Sequence, residues 1–132
     1  MRKTLILLAA ALLCACSANV KKEAVSKEGD NEIRVAVEMN GADVVSVSID
    51  ETEEGVSKKE LGDEYGLKRA SGIGKEWDEQ IAFLESYLAA HGAQDLLYDA
   101  QGRALNADVL SGCTISIQKY VQTYAQALDT EN

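Results

Sequence analysis

Two stretches near the start of the chain alternate between apolar and polar residues, which is the pattern of β-strands with one buried face. The first stretch covers residues 32–39 and the second covers residues 43–50. Between them stands Asn40-Gly41, a dipeptide typical of tight hairpin turns. The polar positions on the opposite face indicate an antiparallel sheet that is covered on one side only. The apolar positions are Ile33, Val35, Val37, Val45, Val47 and Ile49.

Two later stretches carry apolar residues three and four positions apart, the spacing of one face of an α-helix. We predict helices over residues 76–90, ended by Gly92, and over residues 115–128. Residues 95–98 are expected to form a short strand, and the mixed stretch 103–110 can hold another. The apolar stripes are Trp77, Ile81, Leu84 and Leu88 in the first helix, and Ile117, Tyr120, Val121, Tyr124 and Leu128 in the second.

In chain order these elements predict an α+β fold over residues 32–132, a small antiparallel sheet that starts with a hairpin and is packed by two amphipathic helices. The sheet and the first helix are joined by residues 57–75, which contain four glycines and many charges. A connection of that length in a small domain is usually functional or disordered. Ahead of the hairpin, residues 17–31 are polar and lack periodicity, so we predict a flexible tether there.

The first fifteen residues have the layout of a secretory signal peptide. Arg2 and Lys3 give a positive start, residues 4–13 form an uncharged run, and small residues follow. The run is too short to span a bilayer permanently. It ends in Leu13-Cys14-Ala15-Cys16, which resembles the lipobox of bacterial lipoproteins. We therefore predict a signal peptide over residues 1–15 and a lipidated Cys16, acylated by groups such as palmitate; an ordinary signal peptide that contains cysteines is the alternative.

Charge and cysteine content narrow the function further. The formal net charge is −9, and removing Arg2 and Lys3 with the signal takes it to −11. Such a chain is not expected to bind nucleic acid, which requires clustered cations. Cys14 would leave with the signal and Cys16 would be acylated, so Cys113 stands alone and no internal disulfide is available. No Cys-His or His-His spacing indicates a metal site.

The residues before the last predicted helix are the strongest candidate for a site. They read Asp108-Val109-Leu110-Ser111-Gly112-Cys113-Thr114. Glycine and small hydroxyl residues at a helix start favour an anion, because free backbone N–H groups and the helix dipole point at it. The same residues are also ordinary helix caps, and on this pattern alone the cap is the commoner case.

The pattern Asp-x-x-Ser-Gly-x-Thr ahead of a C-terminal amphipathic helix resembles the signature of the FMN-binding domain family. That family includes flavin-carrying subunits of the sodium-pumping quinone reductase and of Rnf complexes, and small electron-transfer lipoproteins. The stretch Ser71-Gly72-Ile73-Gly74 resembles the glycine loop of that family, and the opening hairpin also agrees. The resemblance extends over residues 33–128, nearly all of the expected mature chain.

The resemblance implies that FMN is attached through its phosphate to Thr114, as a phosphoester made by a separate flavin transferase. Asp108, Ser111 and Gly112 occupy the other motif positions, and the glycine loop contributes Gly72, Ile73 and Gly74. Cys113 stands where the family usually has alanine. It can serve as a small buried residue, or as a reactive thiol, since helix N-termini lower thiol pKa values.

These expectations together describe a membrane-anchored, extracytoplasmic FMN-binding electron carrier rather than a stand-alone enzyme. Its partners would be the membrane, a flavin transferase, and a membrane redox donor or acceptor. The location would be the outer face of the cell membrane, the periplasm or the outer membrane. Two alternatives remain: a surface lipoprotein that keeps the fold without flavin and acts as a binding module, and a pheromone precursor whose signal peptide is the active part.

Overall fold

A computed structural model describes residues 18–131 of the chain. The predicted signal peptide and Cys16 lie outside these described residues. Within them, no helix is long and apolar enough to cross a membrane. The fold is α+β, as the sequence predicts: an antiparallel sheet is packed by helices.

The sheet has four antiparallel strands in the order of the chain. They are β1 (Val20–Glu28), β2 (Asn31–Asn40), β3 (Asp43–Glu53) and β4 (Val56–Ser57). The alternation in β2 and β3 places one set of side chains in the core and leaves the other face largely open, so the prediction of a one-sided sheet is confirmed. The core side of these strands consists of Ile33, Val35, Val37, Val47 and Ile49.

The predicted tether is wrong over most of its length, because residues 20–28 form β1. This strand pairs with β2 without a break, from Val20 opposite Met39 to Glu28 opposite Asn31. The hairpin predicted from the sequence is therefore the second hairpin of the sheet. The first turns at Gly29, whose φ of 62° is readily adopted only by glycine.

The second hairpin differs in detail from the alternation in the sequence. Its loop residues are Gly41 and Ala42, because Asn40 pairs with Asp43. The pairing register shifts between Glu38 and Met39, which is the mark of a β-bulge. The shift turns Val45 outward, where it is 49% exposed, and the expectation that it faces the core is wrong.

Two helices carry most of the packing against the sheet. α2 (Trp77–His91) packs on β3, and α4 (Gln118–Leu128) packs on β1 and β2. The predicted stripe of α2 is buried, and Gly92 ends the helix as expected. α2 also shields the open edge of β3, because Glu85 Oε2 accepts a hydrogen bond of 2.8 Å from the Ile49 N–H.

The long connection between sheet and α2 has more structure than the sequence predicts. It contains β4, then α1 (Lys58–Leu61), then a 3₁₀ turn at Gly62–Tyr65. Ser57 caps α1 by accepting a hydrogen bond from the Glu60 N–H. Only residues 66–76 remain irregular.

The segment between the two long helices corrects three predictions. Residues 95–98 and 103–110 do not form strands; only isolated bridges join Tyr98 to Ala104 and Arg103 to Ser116. A short helix, α3 (Ala107–Leu110), occupies the second stretch instead. The last helix begins at Gln118 and not at residue 115.

Candidate functional site

A cleft joins the two sequence motifs that lie far apart in the chain. Its volume is about 340 Å³, within the range of clefts that bind small molecules. One wall comes from the turn before α2, and the facing wall comes from the stretch before α4. The lining includes Leu67, Ser71, Gly72, Gln80, Arg103 and Thr114.

Gln80 connects the two walls through its side chain. It is completely buried on α2, and its Nε2 donates to Ser71 Oγ at 3.1 Å and to the Lys75 carbonyl at 3.1 Å. Its Oε1 accepts the Thr114 N–H at 2.9 Å and the Thr114 hydroxyl at 3.4 Å. The NH₂ group and the carbonyl oxygen of the Gln80 amide therefore both have hydrogen-bond partners. These bonds hold Ser71 and Thr114 on the same side of α2.

The first wall is a compact turn stabilised by the start of α2. The N–H groups of Ala70 and Ser71 both donate to the Leu67 carbonyl. The Glu76 carboxylate is buried and accepts the N–H groups of Leu67 at 2.9 Å and Lys68 at 3.0 Å. These bonds give the glycine stretch a fixed backbone instead of a mobile loop.

The two glycines of this stretch have different roles. Gly74 has a φ of 65°, a left-handed conformation that favours glycine. Gly72 has no such requirement, and a Cβ there would meet no atom within 4 Å. It lines the cleft, whereas Ile73 and Gly74 are not part of the lining.

The expected helix dipole does not act on Thr114. α4 begins at Gln118, four residues further along, and Ile117 is its N-cap. Thr114 lies instead in an irregular stretch that follows α3, and its N–H is already used by Gln80. The prediction of an anion site at the N-terminus of the last helix is therefore wrong, because Thr114 does not lie at the start of α4.

Positive charge at the cleft comes from side chains instead. Arg103 lines the cleft. The segment 67–75 carries Lys68, Arg69 and Lys75 and no acidic residue, in a chain whose net charge is −9. The Arg103 guanidinium, which lines the same cleft as Ser71 and Thr114, suits an anion such as a phosphate.

Asp99 fixes the position of Arg103. Its Oδ1 accepts the Arg103 N–H at 2.9 Å, and its Oδ2 accepts the guanidinium Nε at 2.8 Å. These backbone and side-chain hydrogen bonds from Arg103 lower the pKa of the Asp99 carboxyl, so the pair stays ionised near neutral pH. The guanidinium is thereby held at the cleft.

Gly112 is needed for packing. A Cβ on it would lie 2.2 Å from the Phe83 ring of α2. The glycine thus lets the backbone before Thr114 lie directly on α2, and the structure gives it a packing function that the motif alone does not reveal.

Cys113 is a core residue. It is fully buried, and burial raises the pKa of its thiol to about 12. A thiol with this pKa is protonated and unreactive near neutral pH, which favours the packing interpretation over the reactive one. Its side chain is not part of the cleft lining.

Asp108 and Ser111 lie outside the cleft lining. Both are exposed, and the Ser111 hydroxyl donates to the Asp108 carbonyl at 2.7 Å. The Asp108 carboxylate accepts the N–H of Val109 at 3.0 Å. In the structure these two residues shape the turn around α3.

Of the site residues predicted from the sequence, the cleft brings together Gly72 and Thr114. It also includes Ser71, which the sequence offered only as part of the stretch that resembles the glycine loop. It adds Gln80 and Arg103, which sequence reasoning missed. Gln80 was missed because a polar residue within an amphipathic helix is ordinarily assigned to solvent. A signal was available, because Gln80 stands three residues after Trp77 and four before Leu84 and so lies on the buried face of the helix.

Comparison with known proteins supports the fold and gives no function. No protein-family model matches the chain, and no curated protein matches it. A solution NMR structure from Clostridium thermocellum, solved as a structural-genomics target, is similar with a TM-score of 0.55 and 27% sequence identity. The match covers 83% of this chain and 88% of that one. The chain thus has an α+β fold that also occurs in that protein.

Proposed function

We propose that the protein is an extracytoplasmic electron carrier that binds FMN, with the phosphate of the flavin esterified to Thr114. One observation carries this proposal. Thr114 and the Ser71-Gly72 pair line one cleft although they are over forty residues apart in sequence. These are the two motifs by which the chain resembles the FMN-binding domain family.

The residues of the cleft have the chemistry that a flavin phosphate requires. Arg103 supplies a guanidinium, and Ser71 and Thr114 supply hydroxyl groups. Gln80 holds the Thr114 hydroxyl at the wall of the cleft. The charge-assisted contact of a phosphate with an arginine is among the stronger hydrogen bonds in proteins.

Attachment needs an activated flavin nucleotide with a phosphoanhydride bond, and a transferase to supply it. The Thr114 oxygen forms a bond to phosphorus, the anhydride P–O bond breaks, and the leaving nucleotide keeps that electron pair. The hydroxyl proton passes to solvent. The flavin then supplies the redox chemistry, while the protein positions it and adjusts its potential.

The lipid anchor at Cys16 completes the proposal. An anchored carrier stays near its redox partners, which raises its effective concentration there. The alternative is a surface lipoprotein without flavin, and the cysteine at position 113 is the observation that favours it. The burial of Cys113 weakens that alternative, since the thiol occupies core space and not the cleft.

The test is the intact mass of the protein after co-expression with a flavin transferase. We expect an FMN adduct on the parent chain and none on Thr114→Val, which keeps the shape and removes the oxygen. Ser111→Ala is the matched control, because it removes a nearby hydroxyl outside the cleft and should keep the adduct. An adduct on Thr114→Val would contradict the assignment. Absence from both the parent and Cys113→Ala would contradict covalent attachment and leave non-covalent flavin or the flavin-free alternative, which flavin absorbance of the purified protein separates.

A further inference from the structure

A second concavity adjoins the cleft, and we call it the aromatic pocket. Its walls are the rings of Tyr65, Trp77 and Tyr120, and its polar end carries Lys58 and Lys119. Leu67 and Ile115 line both concavities. The cleft and the aromatic pocket therefore adjoin at these two residues.

The rings of the aromatic pocket are held in fixed positions. Trp77 and Tyr120 meet edge to face with ring centroids 6.1 Å apart, and Trp77 Nε1 donates to the Tyr120 hydroxyl at 3.3 Å. Lys58 Nζ lies 5.1 Å from the centre of the Tyr65 ring and 5.6 Å from that of Trp77. Such cation–π contacts keep an ammonium group against the aromatic walls.

A buried carboxylate holds both lysines at the pocket. Glu51 Oε1 lies 2.7 Å from Lys58 Nζ, and Glu51 Oε2 lies 3.0 Å from Lys119 Nζ. The side chains of Glu51 and Lys58 are only 2% and 8% exposed. Lys119 also contacts the exposed Glu28 at 2.7 Å.

Burying the charged groups of this cluster costs desolvation free energy, so the cluster is a poor choice if it only stabilises the fold. Two apolar residues of similar size often stabilise a core as well as a buried ion pair does. Burial alone would lower the pKa of Lys58, but hydrogen bonding and charge attraction from Glu51 outweigh it and raise the pKa. The ammonium is therefore charged when it faces the pocket, and it has donors beyond the one that Glu51 uses.

We propose that the aromatic pocket binds one edge of a planar aromatic ring that carries carbonyl oxygens, with Lys58 and Lys119 donating to those oxygens. This inference rests on the proposed function, in which the ring belongs to the flavin held at Thr114. The pocket volume of about 150 Å³ is too small for a whole ligand of that size and accommodates only one end. The remainder of the ring lies along the shared wall of Leu67 and Ile115.

The probe for this site is lumiflavin, which has the ring system and lacks the phosphate. Trp77 is the only tryptophan of the chain and lines the aromatic pocket. Bound lumiflavin should therefore shorten the fluorescence lifetime of Trp77 in a saturable way. The lifetime is unaffected by absorption of the exciting light by free flavin.

Lys119→Met should weaken lumiflavin binding about tenfold, the effect of losing one charge-assisted hydrogen bond. Lys119→Arg should restore most of the affinity. Lys59→Met is the matched control: Lys59 is as exposed as Lys119, 33% against 31%, and pairs with Glu85 away from the pocket.

Two results would overturn the inference. One is a Trp77 lifetime that does not change with lumiflavin, and the other is equal binding by the parent, Lys119→Met and Lys59→Met. The outcomes that refute this inference differ from those that refute the proposed function. An FMN adduct on Thr114 without lumiflavin binding would refute only the aromatic pocket, and lumiflavin binding without any FMN adduct would refute only the attachment.

Discussion

At the scale of single residues, the stretch before Thr114 is held in place by its packing. Gly112 lies against Phe83, and Cys113 is in the core. These two contacts fix the backbone immediately before Thr114. Gln80 then fixes the N–H and the hydroxyl of Thr114 itself. The Thr114 hydroxyl is thus positioned through contacts with α2.

The contact of Gly112 predicts a stability effect. Gly112→Ala should destabilise the fold by about 1–3 kcal/mol, because its Cβ would overlap the Phe83 ring and force side chains to move. Gly72→Ala is the matched control, since its Cβ would meet no atom within 4 Å and its φ is not positive. Urea denaturation measures both variants. Equal stability of Gly112→Ala and the parent would contradict the packing function.

At the scale of elements, Glu51 connects three parts of the fold. It lies on β3, and its carboxylate meets Lys58 of α1 and Lys119 of α4. Burial would raise the pKa of Glu51, but hydrogen bonds from Lys58, Tyr120 and Lys119 outweigh it and lower the pKa. The folded state is therefore stabilised by the ionised form.

This lowered pKa predicts how stability depends on pH. The contribution of Glu51 is fully present above its unfolded value of 4.5 and is lost as pH falls through the lower folded pKa. At pH 7, Glu51→Gln should cost about 3–5 kcal/mol, because it leaves buried Lys58 without a counter-ion. The difference from the parent should shrink well below pH 4.5.

Glu32→Gln provides the control for this experiment, since the Glu32–Arg34 pair is exposed at the surface. Its loss should cost less than about 1 kcal/mol. A cost of Glu51→Gln that is as small as that of Glu32→Gln, or that is the same at pH 7 and in acid, would show that the buried cluster does not stabilise the fold.

Elements with an apolar buried face can be predicted from the sequence, whereas elements with a polar buried face cannot. β2 and α2 were predictable because valine, isoleucine and leucine recur at the strand and helix spacings. The half-buried positions of β1 are Lys22, Ala24 and Ser26, which show no apolar period. The strand is stabilised by its ladder with β2 and by contacts with α4, and neither is visible in nine residues of sequence.

The site was predictable where a motif marks it and not where tertiary contacts make it. Thr114 and Gly72 stand in recognisable patterns, but Gln80 and Arg103 reach the cleft only through the packing of α2 and the bridge of Arg103 to Ser116. The start of α4 was placed too early because residues 114–117 contain no glycine or proline that would mark the boundary. The chain enters the helix only after Ile117.

At the scale of the whole molecule, β1 determines which end of the domain a lipid on Cys16 would hold close to the membrane. Only three residues separate Cys16 from Val20, and they span at most about 10–14 Å. α4 runs antiparallel to β1, since Lys22 bonds the carbonyl of Leu128 and Glu28 pairs with Lys119. The stretch before α4, and with it the cleft, lies at the end of β1 about 25–30 Å from Val20.

With the lipid proposed for Cys16, this geometry predicts that the cleft faces away from the membrane. Under the proposed function, we therefore expect the redox partner to be a protein domain that projects from the bilayer and not a quinone within it. In a Cys113→Ala background, dyes placed at Ala42→Cys and Ala70→Cys report the two ends of the domain. In lipidated protein on vesicles, energy transfer to a headgroup dye should be stronger from position 42. A linker of about fifteen Gly/Ser residues after Ser17 should remove the difference. Equal transfer without the linker would contradict the orientation.

The central claim is that flavin is bound covalently to Thr114. Trypsin cleaves after Arg103 and after Lys119 and nowhere between them, so Thr114 falls in the peptide of residues 104–119. The most direct test is tandem mass spectrometry of this peptide from protein isolated from its native host. We expect the peptide to carry FMN and fragmentation to place it on Thr114. FMN on Ser111 or Ser116, or an unmodified peptide from flavin-containing protein, would contradict it.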